Sequence, residues 1–254
     1  MTVAESAVAQ GYRLFAQYAH APNELGYCGP ASAAALESAA CGGGDPAVVA
    51  AAARQFSGAW PYQQLIAEQC GIADPLDERV VRAYWTGNAL TDRVDAERFG
   101  GELLSRFGAR AGHYWSHLTE NLLSEVTATH AFHVFGVYPW SRLLGTGMPE
   151  PLRILDSCRI GWGTVLEVSD DDAVVNLRRL EFDGARLALG AETARRIGRR
   201  TASGVFVPGL RVGDRVALHW DFVCDRLTAE ETDRLESWTV RQLGHTNRRL
   251  AAAR

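Results

Sequence analysis

The sequence predicts an α+β chain: a mainly helical N-terminal domain with a small strand pair, then a small β-barrel with a C-terminal helix. Three observations carry this. Apolar residues recur at helical spacing through most of residues 1–150. From about residue 152 the period changes to the alternation of strands separated by acidic and Gly-containing turns. The last stretch is again helical in period, behind a capping signal. The boundary is placed at Pro149–Pro151, giving domains 1–150 and 151–254.

The elements follow in order. Val8, Tyr12, Leu14, Phe15 and Tyr18 recur at helical intervals, which predicts an amphipathic first helix. "ASAAALESAA" continues as a helix directly after Cys28, and "CGGGD" stops it. Asp45 is an N-cap with Pro46 at the first helical position of the next helix. "PYQQLIAEQCG", "DPLDERVVRAYW", "DAERFGGELLSRFGA" and "HYWSHLTENLLSEV" complete about seven helices. "HAFHVFGVYPW" (130–140) is expected to be a buried strand and "PLRILDS" its neighbour. "GWGTVLEVS", "DDDAVVNLRRLEFDG" and "GVFVPGLRVGDRVALHW" supply the barrel strands. Thr228 caps the last helix, and Glu231 completes a capping box.

Composition excludes several classes. Of 254 residues 47% are apolar and 22% charged, as in a folded globular chain. The net charge of −4 gives no reason to expect nucleic acid. The basic run "RRIGRR" is read as a solvated loop or edge. No apolar run reaches the ~20 residues of a membrane span. The N-terminus has no basic and apolar leader pattern, so a cytoplasmic location is expected. The five cysteines are odd in number and none forms a C-x-x-C pair, which favours neither a zinc ribbon nor a disulfide framework.

Cys28, in "NELGYCGPASAAAL", is placed where a loop turns into a helix. Helix N-terminal amides there would lower a thiol pKa. It could be a nucleophile, a metal ligand, or a small residue at a crowded helix start. As a nucleophile it needs a base and an orienting group, and His133 and Asp156 follow in the right order. That order, with "YCGPAS", "FHVFGVY" and "ILD", is similar to papain-like enzymes of the phytochelatin-synthase type. The resemblance implies a thiol hydrolase or acyltransferase using Cys28, His133 and Asp156. The Gln that forms the oxyanion hole in that family is absent, and only Asn23 stands nearby. The histidine pairs His113/His117 and His130/His133 could each share a metal, given further ligands.

The residues around Cys158 carry a second resemblance. "CRIGWGTVLEV", an acidic turn, "AVV" and "VGDRVALHWDFVCDRLTAEE" resemble the HypC/HupF family, small OB-like barrel chaperones of [NiFe]-hydrogenase maturation. The likeness covers roughly residues 157–235. It implies that Cys158 and His219 hold an Fe(CN)2CO fragment, with the hydrogenase large subunit or other maturation proteins as partners. Soft thiolate suits low-valent iron with carbon ligands. Cys158 is internal rather than N-terminal, Gly161-Trp162-Gly163 replaces Ile-Pro-Gly, and an insertion between about Asp183 and Pro208 lengthens a barrel loop. Through "AQYAHAPNELGYCGP", "FSGAWPYQQLIAEQCGIADPLDERVVRAYWTGN", "FHVFGVYPW", "CRIGWG" and "LHWDFVCDRLT", the whole chain resembles an uncharacterised actinobacterial family encoded beside hydrogenase genes. The expected function is therefore that of an assembly chaperone in which Cys158 and His219, joined by Cys28, bind iron. Trp140, Trp162 and Trp220 would face a partner. The alternatives are the thiol hydrolase and a non-catalytic interaction module.

Overall fold

The computed structural model describes residues 3–108 and 120–252, so the His113/His117 pair lies outside the described residues. Six helices come first: α1 (Val3–Glu24), α2 (Ala34–Ala40), α3 (Pro46–Ala53), α4 (Ala59–Cys70), α5 (Glu78–Trp85) and α6 (Ala96–Gly108). α3 starts as its sequence dictates, with the Asp45 carboxylate accepting from Ala47 N–H and Pro46 in the first turn. α1 is the central rod. Gly11 lets it lie against the backbone of Leu76–Glu78, where a β-carbon would collide with main-chain atoms.

The expected strand pair is helical. Residues 130–132 form a short α-helical turn, α7 (His130–Phe132), which widens into a π turn at His133–Val137. "PLRILDS" lies in α8 (Glu150–Cys158), opened by Pro151. A short apolar run reads equally well as a buried strand or a buried helical turn. Here the surroundings decide, because the last helix, α9 (Ala229–Ala252), packs over this segment rather than a strand edge. Gln242 of α9 donates to the Glu125 carbonyl at 2.8 Å, and Arg249 donates to the Phe135 carbonyl at 2.6 Å.

The strands are β1 (Gly161–Val168), β2 (Asp172–Phe182), β3 (Leu187–Gly198), β4 (Arg200–Thr201), β5 (Gly204–Val205), β6 (Arg215–His219) and β7 (Phe222–Leu227). Five of them form one sheet in the order β1-β2-β3-β7-β6, and β6 pairs back onto β1. All neighbours are antiparallel except β3 and β7, which meet in parallel at Gly198 and Phe222. The segment expected to be a long loop is mostly strand, with β3 its main part. The hairpin β4–β5 follows and docks on α2, with Ser203 N–H donating to Glu37 Oε1 at 2.8 Å. Arg195, Arg196 and Arg200 of the basic run are exposed, while Arg199 is buried and donates to the Ser169 and Asp170 carbonyls. The capping box opens α9: Glu231 N–H donates to Thr228 Oγ1, and Thr228 N–H to Glu231 Oε2.

One buried apolar cluster crosses residue 150. It includes Phe15, Tyr84 and Leu103 from the helices and Val165, Val216 and Cys224 from the sheet. Arg82 of α5 adds a polar clasp, bridging Glu78, Asp225 and Glu231. Among the described residues no helix is long and apolar enough to cross a membrane.

Candidate metal centre

Cys158 closes α8 and His219 closes β6, which brings both to the junction of sheet and helices. Two features fix their relation. Trp220 N–H donates to the Ser157 carbonyl at 2.9 Å. An ion chain then ties α8 to the β6–β7 turn: Asp156 pairs with Arg159 and with Arg179, both at 3.0 Å, and Arg179 reaches Asp221 at 2.7 Å. The turn needs this support. Trp220 and Asp221 both have left-handed backbones, with φ of 53° and 56°. Neither residue type adopts that region without cost, so the surrounding structure must impose it.

His219 has a defined tautomer. Its Nδ1–H donates to the Tyr18 carbonyl of α1 at 2.7 Å, which leaves the lone pair on Nε2. That nitrogen is buried and makes no hydrogen bond of standard geometry among the described residues, with the Cys158 carbonyl near enough to act on the ring. An imidazole anchored through one nitrogen on a backbone carbonyl, with the other free, is the usual posture of a metal ligand. His130 completes a compact group: ligand atoms of His130, Cys158 and His219 all lie within 4.8 Å of one another. His130 is engaged at both nitrogens, since Nε2–H donates to the Cys158 carbonyl at 2.8 Å and Nδ1 accepts from the Tyr84 hydroxyl at 2.9 Å. The pair whose atoms remain available is therefore Cys158 Sγ and His219 Nε2.

These groups open on a cavity of about 160 Å³ whose lining also includes Cys28, His133 and Trp220. It is electrically neutral. Burial holds His219 down to about 4 and His133 down to about 3. His130 lies well below the ordinary range, through burial first and the neighbouring imidazoles second. The thiols move the other way: burial pushes Cys28 up to about 12 and raises Cys158 strongly. The Trp220 indole N–H, which makes no standard hydrogen bond, acts on the Cys158 sulfur and draws it partly back. Without a cation both sulfurs stay protonated, and a metal ion is the kind of charge that converts such thiols to thiolates.

The expected site residues thus divide. Cys28, His133, Cys158 and His219 line one cavity, whereas Asp156 does not join His133. Its carboxylate takes Arg159, Arg179 and the Leu180 N–H instead, so it cannot orient that imidazole. Cys28 is not at a helix start either. Gly26 and Gly29, with φ of 77° and 86°, prolong the loop after α1, and α2 begins only at Ala34. No helix dipole reaches the sulfur to lower its pKa, and the neighbouring imidazoles are neutral. Asn23 is committed as well, its amide donating to the Cys28 and Pro30 carbonyls at 2.8 and 2.6 Å.

Trp220 is corrected from a partner-facing residue to a buried wall of the cavity, stacked on Tyr27 with centroids 3.9 Å apart. Sequence reasoning did not find Tyr84, which fixes His130, or Tyr18, which contributes through a backbone carbonyl. The spacing of Tyr84 marks only a core helix face, and a carbonyl carries no side-chain signal.

Residues 7–253 match the model of a family described as a family of unknown function (DUF6390). No curated protein and no solved structure matches the chain.

Proposed function

Because the chain belongs to DUF6390, a family of unknown function, the site has to carry the functional reading, and we propose that the protein is a metal-fragment carrier. Cys158 and His219 are its protein ligands. The observation that supports this most directly is His219, whose Nδ1–H is tied to Tyr18 while Nε2 stays free and buried beside Cys158.

The cargo that best fits is iron bearing cyanide and carbon monoxide, held during [NiFe]-hydrogenase assembly as a HypC-like barrel holds it. A soft thiolate and an imidazole match low-valent iron, and an uncharged, mostly apolar cavity matches ligands that are themselves small and weakly hydrated. When cargo binds, the Cys158 proton leaves as the thiolate forms, and the neutral His219 needs no deprotonation. The five-stranded sheet then plays the part of the chaperone barrel, and the helices cover it. Partners would be the hydrogenase large subunit or other maturation proteins.

The test is anaerobic purification from a host expressing hydrogenase maturation proteins, read by infrared spectroscopy for cyanide and carbonyl stretches. Bands are expected in the wild type and in Cys28→Ala, and not in Cys158→Ala. Their absence from the wild type overturns the assignment. Selective alkylation near neutral pH addresses the hydrolase alternative: Cys28 is expected to react no faster than Cys70, and a markedly faster reaction would revive a nucleophile.

A further inference from the structure

The helical wall of the cavity holds a group that the Cys158–His219 pair leaves unused. His133 is 2% exposed and lines the cavity, yet neither ring nitrogen has a hydrogen-bond partner among the described residues. It also stands outside the compact group of ligand atoms formed by His130, Cys158 and His219. Its placement is built. The π turn at His133–Val137 carries it, and such turns gather at functional positions. Tyr138 packs on the ring at 4.3 Å and Tyr62 meets it edge-on at 5.4 Å. Gly58 makes room for it, since a β-carbon there would come within 2.5 Å of Nε2.

A neutral imidazole presents one N–H and one lone pair, and native interiors seldom leave such groups unmet. From the sheet side, the Trp220 indole N–H is likewise buried and without a standard partner. The Trp85 indole N–H is in the same state, so three N–H donors serve one neutral cavity from its helical and sheet walls. A bare metal ion offers an N–H nothing to bond. A metal that brings its own acceptor ligands does, and a hydrogen bond to a charged acceptor is stronger than one between neutral groups.

Resting on the carrier reading above, we infer that His133 is the recognition group for a non-protein ligand that the metal brings with it. With Trp220 it selects small anionic acceptors of the cyanide class, so that the cavity distinguishes a ligated metal fragment from a free ion. His133 is thus a specificity residue, separate from the ligand pair.

Cobalt(II) and azide test this on the full chain under anaerobic conditions. Cobalt is followed by its thiolate charge-transfer and d–d absorption, and azide by the change it makes in those bands. His133→Phe is expected to keep cobalt affinity within about threefold and to lose about tenfold or more in azide affinity, the scale of one hydrogen bond to a charged group. His133→Gln, which keeps an N–H, is expected to recover most of that loss. His133→Met, which removes both ring nitrogens at similar volume, is expected to weaken azide in the same sense, and it serves should His133→Phe not fold by circular dichroism. Equal azide affinity in wild type and in these variants overturns the inference while leaving the carrier reading intact. Loss of cobalt itself in a folded His133→Phe also overturns it, by making His133 a metal ligand. A wild type that takes up cobalt neither alone nor with azide present defeats the carrier reading and the inference together.

Discussion

His219 and His133 face the same cavity and are both buried and neutral, but the fold treats them differently. His219 sits on the sheet side with one nitrogen bound to a main-chain carbonyl of α1, so its tautomer and direction are set. His133 sits on the helical side with both nitrogens unengaged, positioned by ring packing and by the glycine opposite it. The first is fixed in direction, as the carrier reading requires of a metal ligand. The second is held in place yet left chemically open. Two imidazoles of the same protonation state would thus serve two purposes on the proposed reading, and what separates them is the hydrogen bond each does or does not make.

The strongest way to disturb the sheet side is at its ion chain. Asp156→Ala leaves Arg159, 2% exposed, without its carboxylate. Removing one partner of a buried ion pair costs about 3–5 kcal/mol, so urea denaturation should show a loss of that order. Had Asp156 been the third member of a catalytic triad, its removal would cost activity and little stability. The next largest contrast is between the two histidines themselves. His219→Ala should weaken cobalt(II) about 100-fold by direct titration, about 2.7 kcal/mol, whereas His133→Ala should change it about threefold at most.

Acid should expose what the two rings share. Both have folded-state pKa values held below the unfolded value, near 4 for His219 and near 3 for His133. Their neutral forms are native at neutral pH, and the unfolded chain binds the extra protons. Stability is therefore fully present above about pH 6.5 and falls as the pH drops toward 4, each ring adding up to about 1.4 kcal/mol per pH unit. Denaturation midpoints measured between pH 7 and pH 4.5 should show this slope, and His133→Phe should lessen it. The smallest effect is a control outside the cavity. Thr228→Ala removes the cap of α9 and should cost about 1 kcal/mol in stability while leaving cobalt binding unchanged.

Legibility in the sequence divides along the same line. Asp45-Pro46 and Thr228–Glu231 announce their helices because capping chemistry is local, and the structure uses both. Cys158 and His219 were singled out from the HypC/HupF-like segments, and the structure brings the two to one cavity. The helical side was not legible in this way. "HAFHVF" is too short for its period to separate strand from helix, and the π turn that aims His133 has no residue signature. Cys28 was misplaced because its distance from α2 depends on two left-handed glycines, whose φ the sequence does not display. Asp156 was misassigned because its carboxylate is taken by Arg159, three residues on, and by Arg179, which only the fold brings over on β2. The continuous core across residue 150 likewise depends on α1 packing beneath β6 and β7.

The bond from His219 to Tyr18 joins positions 201 residues apart. On the ribosome, Cys28, His130 and Cys158 leave the exit tunnel before His219 is made, and the orienting carbonyl waits on α1 throughout. A nascent chain therefore holds thiols but no completed pair of ligands. Closing so long a loop is among the slower events in folding, and on the carrier reading metal capture would wait until nearly the whole polypeptide had been synthesised and these two segments had docked.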